Sequence, residues 1–392
     1  MKPFEFQTVL FNFHDVMLLM TVMQCLFFGT LLYVTNTSRI KSTLFLAAFL
    51  FAHALIPANE LMMWGAEFKS LVRNQWPSVH FIPGIAYYID GLLLFFCIKS
   101  LIFRNFSLKK IDLLHLLPLL AYIIFISTEF YSHSFEQRQE MLNSESFVYS
   151  AGYVTMEFFS KWVRFFYAIA CFVLIFKYKN RLQDTHSNIE NVHINWLNGL
   201  VVGFMVVMLS EVILVGAKVF NLFYPLGTDM FMYLGLTGNY TSFVLVNLLI
   251  FTAIRYFLIF EQVTDDETIK KSVDDKFVNP DMAAEVDCAI LKSKAYMEPD
   301  ITLDKLAESL SIIPRDLSML INRHFGINFY EFINKYRIEE AKKMLVDPEH
   351  KNTTITDIYL AVGFNSKSVF YTFFKKFESV TPSQFRQSAL CK

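Results

Sequence analysis

Long apolar runs separated by short polar breaks fill the chain as far as about residue 260, and after that the pattern changes to short amphipathic stretches. An α-helix needs about 20 apolar residues to cross about 30 Å of hydrocarbon. Runs of that length fall at about 14–35, 42–64, 80–103, 111–131, 153–178, 195–219 and 230–259. Their cores read, for example, "VMLLMTVMQCLFFGTLLYV" and "VVGFMVVMLSEVILVGA". The first run has neither a basic leader nor a small-residue cleavage site, so it is expected to remain as a helix. Residues 1–260 are therefore expected to hold seven membrane spans.

Residues 261–280, "EQVTDDETIKKSVDDKFVNP", carry both charge signs, do not sustain coiled-coil heptads, and read as a charged linker. From 281 to 392 the sequence is soluble in character and helical in spacing. It contains a repeat: "RDLSMLINRHFG" (315–326) aligns with "SVFYTFFKKFES" (368–379). Leu317, Leu320 and Ile321 fall on Phe370, Phe373 and Phe374, an i, i+3, i+4 apolar face. The opposite face carries Arg315, Ser318, Met319 and Asn322 in one copy and Ser368, Tyr371, Thr372 and Lys375 in the other.

Each of these helices follows a shorter one through a tight turn, which predicts helix-turn-helix motifs at about 303–325 and 355–377. Capping patterns at Asn328/Glu331, Thr354/Asp357 and Thr381/Gln384, with Gly326 after the first copy, mark the boundaries. Between the copies, 328–345 reads as one helix about 27 Å long at 1.5 Å per residue. Such a strut suits two reading helices set about one DNA turn apart. A polar helix face alone is ordinarily just a solvated face; two matching copies joined by a strut favour a reading surface.

Composition fits this division. Hydrophobic residues make up 54% of the 392, Phe occurs 43 times, and charged residues are 18%, against about 25% in soluble domains. The expected class is all-α, a transmembrane bundle followed by a helical DNA-binding domain. Lys and Arg concentrate in the loops that would be cytoplasmic if the carboxyl end is inside: Arg39, Lys41, Arg104, Lys109, Lys110, Lys177, Lys179 and Arg181. The N-terminus is then outside.

The five cysteines show no pairing or C-x-x-C pattern, and His53, His80 and His115 show no ligand spacing, so neither disulfides nor a metal is expected. No H-E-x-x-H, Walker A or G-x-S-x-G signature is present, and no cofactor or enzymatic activity is expected.

With "LAESL", "LSMLINRHFG", "NFYEFINKYRIEEAKKML", "ITDIYLAVGFNSKSVFYTFFKKF" and "TPSQFR" in this order, residues 303–386 resemble the DNA-binding domain of the AraC/XylS family of bacterial transcription regulators. The resemblance implies recognition helices at 314–324 and 366–376. It makes Arg315, Ser318, Met319, Asn322, Lys367, Ser368, Tyr371, Thr372 and Lys375 the groove-facing candidates, with Lys375, Lys376 and Arg323 toward phosphates. It also implies double-stranded promoter DNA and RNA polymerase as partners, and with the expected spans and their charge bias the location is the bacterial inner membrane with the carboxyl end in the cytoplasm.

Tyr359 stands where the family usually has Ala, and a large ring there should spread the helices or demand repacking; Ser379 stands where it has Gly, at a cost of about 1 kcal/mol in a left-handed turn, so the second motif is expected to be the less rigid. Over 312–392 twelve basic residues face eight acidic ones, and 281–311 adds three basic and seven acidic. One domain should thus bind weakly and with strong salt dependence, and a homodimer is expected to compensate.

Ionisable residues inside spans are costly and mark function or pairing. Asp90 falls near mid-membrane, Glu157, Lys161 and Arg164 form a stripe, Glu211 and Lys218 share a face, and Glu60 sits near an outer end. They are candidates for a pocket that receives a small-molecule or membrane signal; the alternative is structural pairing. Rival readings of the whole are a transporter or channel with a regulatory tail, and a plain membrane anchor.

Overall fold

The computed structural model describes residues 12–36, 40–66, 68–103, 106–188, 194–221, 223–224, 228–256 and 280–390. Among these, regular structure is helical apart from isolated bridge positions, among them His186 opposite Thr302. The helices are α1 (Phe13–Thr35), α2 (Lys41–Trp64), α3 (Phe68–Gln75), α4 (Ala86–Ile102), α5 (Leu117–Ile126), α6 (Phe135–Asn143), α7 (Ala151–Gln183), α8 (Ile194–Asn221) and α9 (Thr228–Tyr256). After these come α10 (Pro280–Ser293), α11 (Leu303–Ser309), α12 (Pro314–Arg323), α13 (Phe329–Val346), α14 (Ile355–Ala361), α15 (Lys367–Glu378) and α16 (Pro382–Leu390). Most of the charged linker, 261–279, lies outside the described residues.

The chain divides into two compact units: residues up to Ile175 with Asn195–Asp265, and Phe176–Ile194 with Asp266–Lys392. In the first, seven helical segments of the described residues are long and apolar enough to cross a membrane. Helix α1 packs along α2, and α2 along α4. The third and fourth segments are compound. Tight turns at Pro77–Val79 and Pro83–Ile85 lead into α4, while Lys110–Leu116 and Ser127–Tyr131 flank α5 with tighter and wider turns.

The fifth segment outruns the apolar signal. "FKYKNRLQ" loses hydrophobicity but contains good helix formers and neither Gly nor Pro, so α7 continues to Gln183. Lys177, Lys179 and Arg181 are therefore helical, where the sequence suggested a basic loop. The long 132–152 connection also contains a helix, α6, opened by a Ser134/Gln137 capping box. Leu142, Phe147 and Val148 near it join Phe81, Tyr87, Tyr122 and Phe130 in an aromatic-rich core.

The second unit has two cores and one shared helix. Ala283, Val286 and Ile290 of α10, Leu306 and Ala307 of α11, and Leu317, Leu320 and Ile321 of α12 build the first core. Ile358, Phe364, Phe370, Phe373 and Phe374 build the second. Helix α13 serves both, with Phe329, Phe332 and Ile333 in the first and Ile338, Ala341 and Leu345 in the second. Each of these Phe, Ile and Leu side chains contributes about 1.5–3 kcal/mol on burial, so the strut is fixed at both ends.

Candidate nucleic-acid interface and buried ion network

Helix α12 begins with Pro314 at its first position, where the missing N–H costs no hydrogen bond. Its apolar row faces the first core, which leaves Arg315, Asn322 and Arg323 exposed and Ser318 and Met319 half-buried. The Asn322 amide donates back to the Ser318 carbonyl at 3.0 Å. In α15, burial of Phe370, Phe373 and Phe374 leaves Lys367, Ser368, Thr372, Lys375 and Lys376 exposed and Tyr371 half-buried. Lys367 Nζ sits 5.5 Å from the Tyr371 ring centroid, and Thr372 donates to the Ser368 carbonyl at 2.8 Å.

Both polar faces are thus held by side chains that point the other way. Lys376 is engaged within the protein, 2.8 Å from Glu331 on α13. That pair alters the expected capping box: Asn328 accepts from the Glu331 N–H at 2.9 Å, and the Glu331 carboxylate turns to Lys376. A second bridge, Lys342 to Glu378 at 2.8 Å, also ties α15 to the strut.

The two unusual residues of the second motif are accommodated differently. Tyr359 is half-buried with its ring 5.8 Å from Phe370, whereas Ala307 of the first motif is buried; the ring slides over the core edge. Ser379 ends α15 in the left-handed region at φ 61°, a conformation that costs a residue with a Cβ about 1 kcal/mol.

Arg337 of α13 was not apparent as a structural residue from its sequence position, yet it is 1% exposed. Its Nε donates to the Tyr296 carbonyl at 2.7 Å, and Nη2 to the carbonyls of Glu298 and Pro299 at 2.8 and 3.2 Å. Nη1 donates to Asn334 Oδ1 at 3.2 Å, and the guanidinium lies 5.6 Å from the Phe364 ring. Burial pushes its pKa down to about 10, and the carbonyl cage keeps the cation paired with oxygen. Gly363 makes this packing possible: at φ +96°, a Cβ there would lie 2.7 Å from the Met297 carbonyl oxygen.

The helix-turn-helix domain family model matches residues 306–388. Residues 306–388 form an AraC-type helix-turn-helix domain. An uncharacterized HTH-type transcriptional regulator of Staphylococcus aureus (strain COL) is 36% identical over 91 residues, 23% of this chain and 12% of its own. The uncharacterized HTH-type transcriptional regulator YtdP of Bacillus subtilis is 32% identical over 90 residues, 23% of this chain and 11% of its own. Regulatory protein PocR of Salmonella typhimurium is 29% identical over 93 residues, 24% of this chain and 30% of its own. The chain thus spans about an eighth of the first relatives it matches. No solved structure gives a significant match.

Outside the AraC-type domain, six of the seven ionisable candidates in the apolar segments pair with one another, and Glu60 pairs with Tyr87. Arg164 Nε and Nη2 donate to the two Asp90 oxygens at 2.9 and 2.8 Å, and Nη1 pairs with Glu211. Lys161 lies 3.4 Å from Glu211 and 3.6 Å from the centre of the Tyr87 ring, whose hydroxyl donates to Glu60 at 2.6 Å. Glu157 and Lys218 pair at 2.8 Å.

Sequence reasoning weighed His53 only as a metal ligand and passed over Tyr87. His53 Nδ1 is 3.5 Å from Asp90, and Nε2 is 3.3 Å from Ser242 Oγ. The signal was present: His53 lies seven residues from Glu60 and Tyr87 three from Asp90, each pair on one helix face.

Proposed function

We propose that this chain is a membrane-embedded, one-component transcription regulator: the bundle receives a signal and the AraC-type domain contacts promoter DNA with both α12 and α15. The observation that supports this most directly is the exposure of two equivalent polar faces, Arg315 to Asn322 and Lys367 to Lys375, joined by a strut anchored in both cores.

Local electrostatics agrees. Arg315 lies in the first turn of α12 and Lys367 opens α15. Cations at this end oppose the helix dipole by about 0.3–1 kcal/mol each, a cost that a phosphate docked at the helix N-terminus would offset. Arg315 and Asn322 carry the side chains suited to guanine and adenine edges, and Lys375 and Arg323 supply charge toward the backbone.

In this reading the domain lies at the cytoplasmic face of a bacterial inner membrane, protomers act as homodimers, and RNA polymerase is the downstream partner. A signal acts through the ion network only by preferring one of two arrangements of the bundle. Full-length protein in lipid nanodiscs, with a duplex pool, tests the proposal. Footprints should show two protected patches per protomer about one helical turn apart. Absence of duplex binding at low salt refutes it.

A further inference from the structure

The short segment after α7 is built into the DNA-binding unit. Thr185, His186 and Ser187 run antiparallel to Ile301, Thr302 and Leu303: Ser187 N–H donates to the Ile301 carbonyl at 3.2 Å, and Leu303 N–H donates to the Thr185 carbonyl at 2.9 Å. Leu303 is the first residue of α11, and its N–H is one of the amides a helix cannot satisfy internally. The segment therefore caps the helix that opens the first motif.

Ser187 has a second attachment. It is 1% exposed, and Arg337 donates to its carbonyl at 3.3 Å through Nη1 and to its Oγ at 3.2 Å through Nη2. Arg337 stands on the strut against Phe364 of the second motif. One residue of the 184–188 segment thus completes the carbonyl cage that connects the strut, the 296–299 turn and the second motif. The segment is itself fastened to the end of α7, where His186 N–H donates to the Leu182 carbonyl at 2.8 Å. The same helix carries Lys161 and Arg164 of the ion network.

We infer that Asp184–Ser187 is a regulatory clip: docked, it holds the two helix-turn-helix motifs in their DNA-competent arrangement, and displacement of α7 withdraws it. The output rests on the DNA-binding function proposed above; the docking itself does not. Withdrawal leaves the Leu303 amide and one Nη1 N–H without their acceptors and removes the Ser187 hydroxyl from Nη2, so the cage around Arg337 loosens and the spacing of the motifs with it. The clip is distinct from the charged linker, which offers the bundle a second covalent route to the domain.

The test uses full-length protein in nanodiscs, with Cys288 and Cys391 replaced by Ser and a protease site placed within residues 261–279. The pair His186→Cys with Thr302→Cys occupies a non-hydrogen-bonded antiparallel position, where Cα atoms approach to about 4.5 Å, within disulfide range. After cleavage the two pieces are expected to stay joined until reductant is added; separation without reductant overturns the clip. Ser187→Pro, which lacks the N–H, is expected to weaken binding at least about fivefold to a duplex enriched by the wild type from a random pool, with the thermal midpoint of the bundle unchanged. Ser187→Ala, which keeps the backbone bonds, should fall between. Unchanged affinity in Ser187→Pro overturns the regulatory role. If the wild type enriches no duplex, the DNA-binding proposal fails, while the disulfide still reports on docking.

Discussion

Arg164 of α7 and Asp90 of α4 meet through two parallel N–H···O bonds, 2.9 and 2.8 Å long, with both side chains almost wholly enclosed. A carboxylate and a guanidinium in this geometry match fork to fork. Removing one partner strands the other charge in a medium that cannot solvate it. Arg164→Met or Asp90→Leu should each destabilise the bundle by about 3–5 kcal/mol, and the double variant by less than either. Thermal unfolding in detergent measures this, and a double-variant loss equal to the sum of the two single losses would show that the pair is not coupled.

At the polar faces, Arg315→Ala should lower affinity for the preferred duplex by about 1–3 kcal/mol and relax the preference at one position. Lys375→Ala should weaken binding to all sequences alike and reduce the salt slope by about one. Titrations at several salt concentrations separate the two effects.

Glu331 draws Lys376 toward the strut. Glu331→Gln should free that ammonium, raise affinity and steepen the salt dependence by about one phosphate equivalent. The pair itself is partly solvated, so stability should change by at most about 1 kcal/mol. A lower affinity in this variant would assign Glu331 to the placement of α15.

Ser379 and Gly363 give opposite expectations from the same backbone argument. Ser379→Gly removes the Cβ from a left-handed position and should stabilise the domain by about 0.5–1 kcal/mol. Gly363→Ala would drive a methyl group against the Met297 carbonyl and should destabilise it by at least as much. Denaturant unfolding reads both.

Hydrogen bonding from Lys294, with help from Lys343, holds the Glu340 carboxyl below its ordinary pKa of 4.5. A depressed carboxylate contributes stability above its unfolded value and loses it as pH falls through the folded one. Acid unfolding should therefore be shallower in Glu340→Gln than in the wild type, and the difference between them should vanish once the pH lies below both values.

The sequence reading located most helices because burial imposes a period: Leu317, Leu320 and Ile321, or Phe370, Phe373 and Phe374, sit on the side they must hide. All seven apolar runs correspond to helical segments for the same reason. Hydropathy alone did not extend α7 to Gln183, because helix propensity persists where hydrophobicity ends. The partners of Arg337 and the pairing of Ser187 with Ile301 were also hidden. They depend on carbonyl groups brought together by the chain path, and a carbonyl has no residue-specific signature in a sequence. His53 and Tyr87 were legible in principle, since their spacing to Glu60 and Asp90 already placed them on shared faces.

Helix α13 is embedded in a core at each end, so it cannot lengthen or shorten to suit a binding site. With the 184–187 segment docked and both motifs on one duplex, as proposed, any mismatch between the separation α13 imposes and the pitch of the duplex falls to the nucleic acid. Operators should accordingly be selected for the bendability of base steps that no side chain touches, with pliant pyrimidine–purine steps between the two contacted segments.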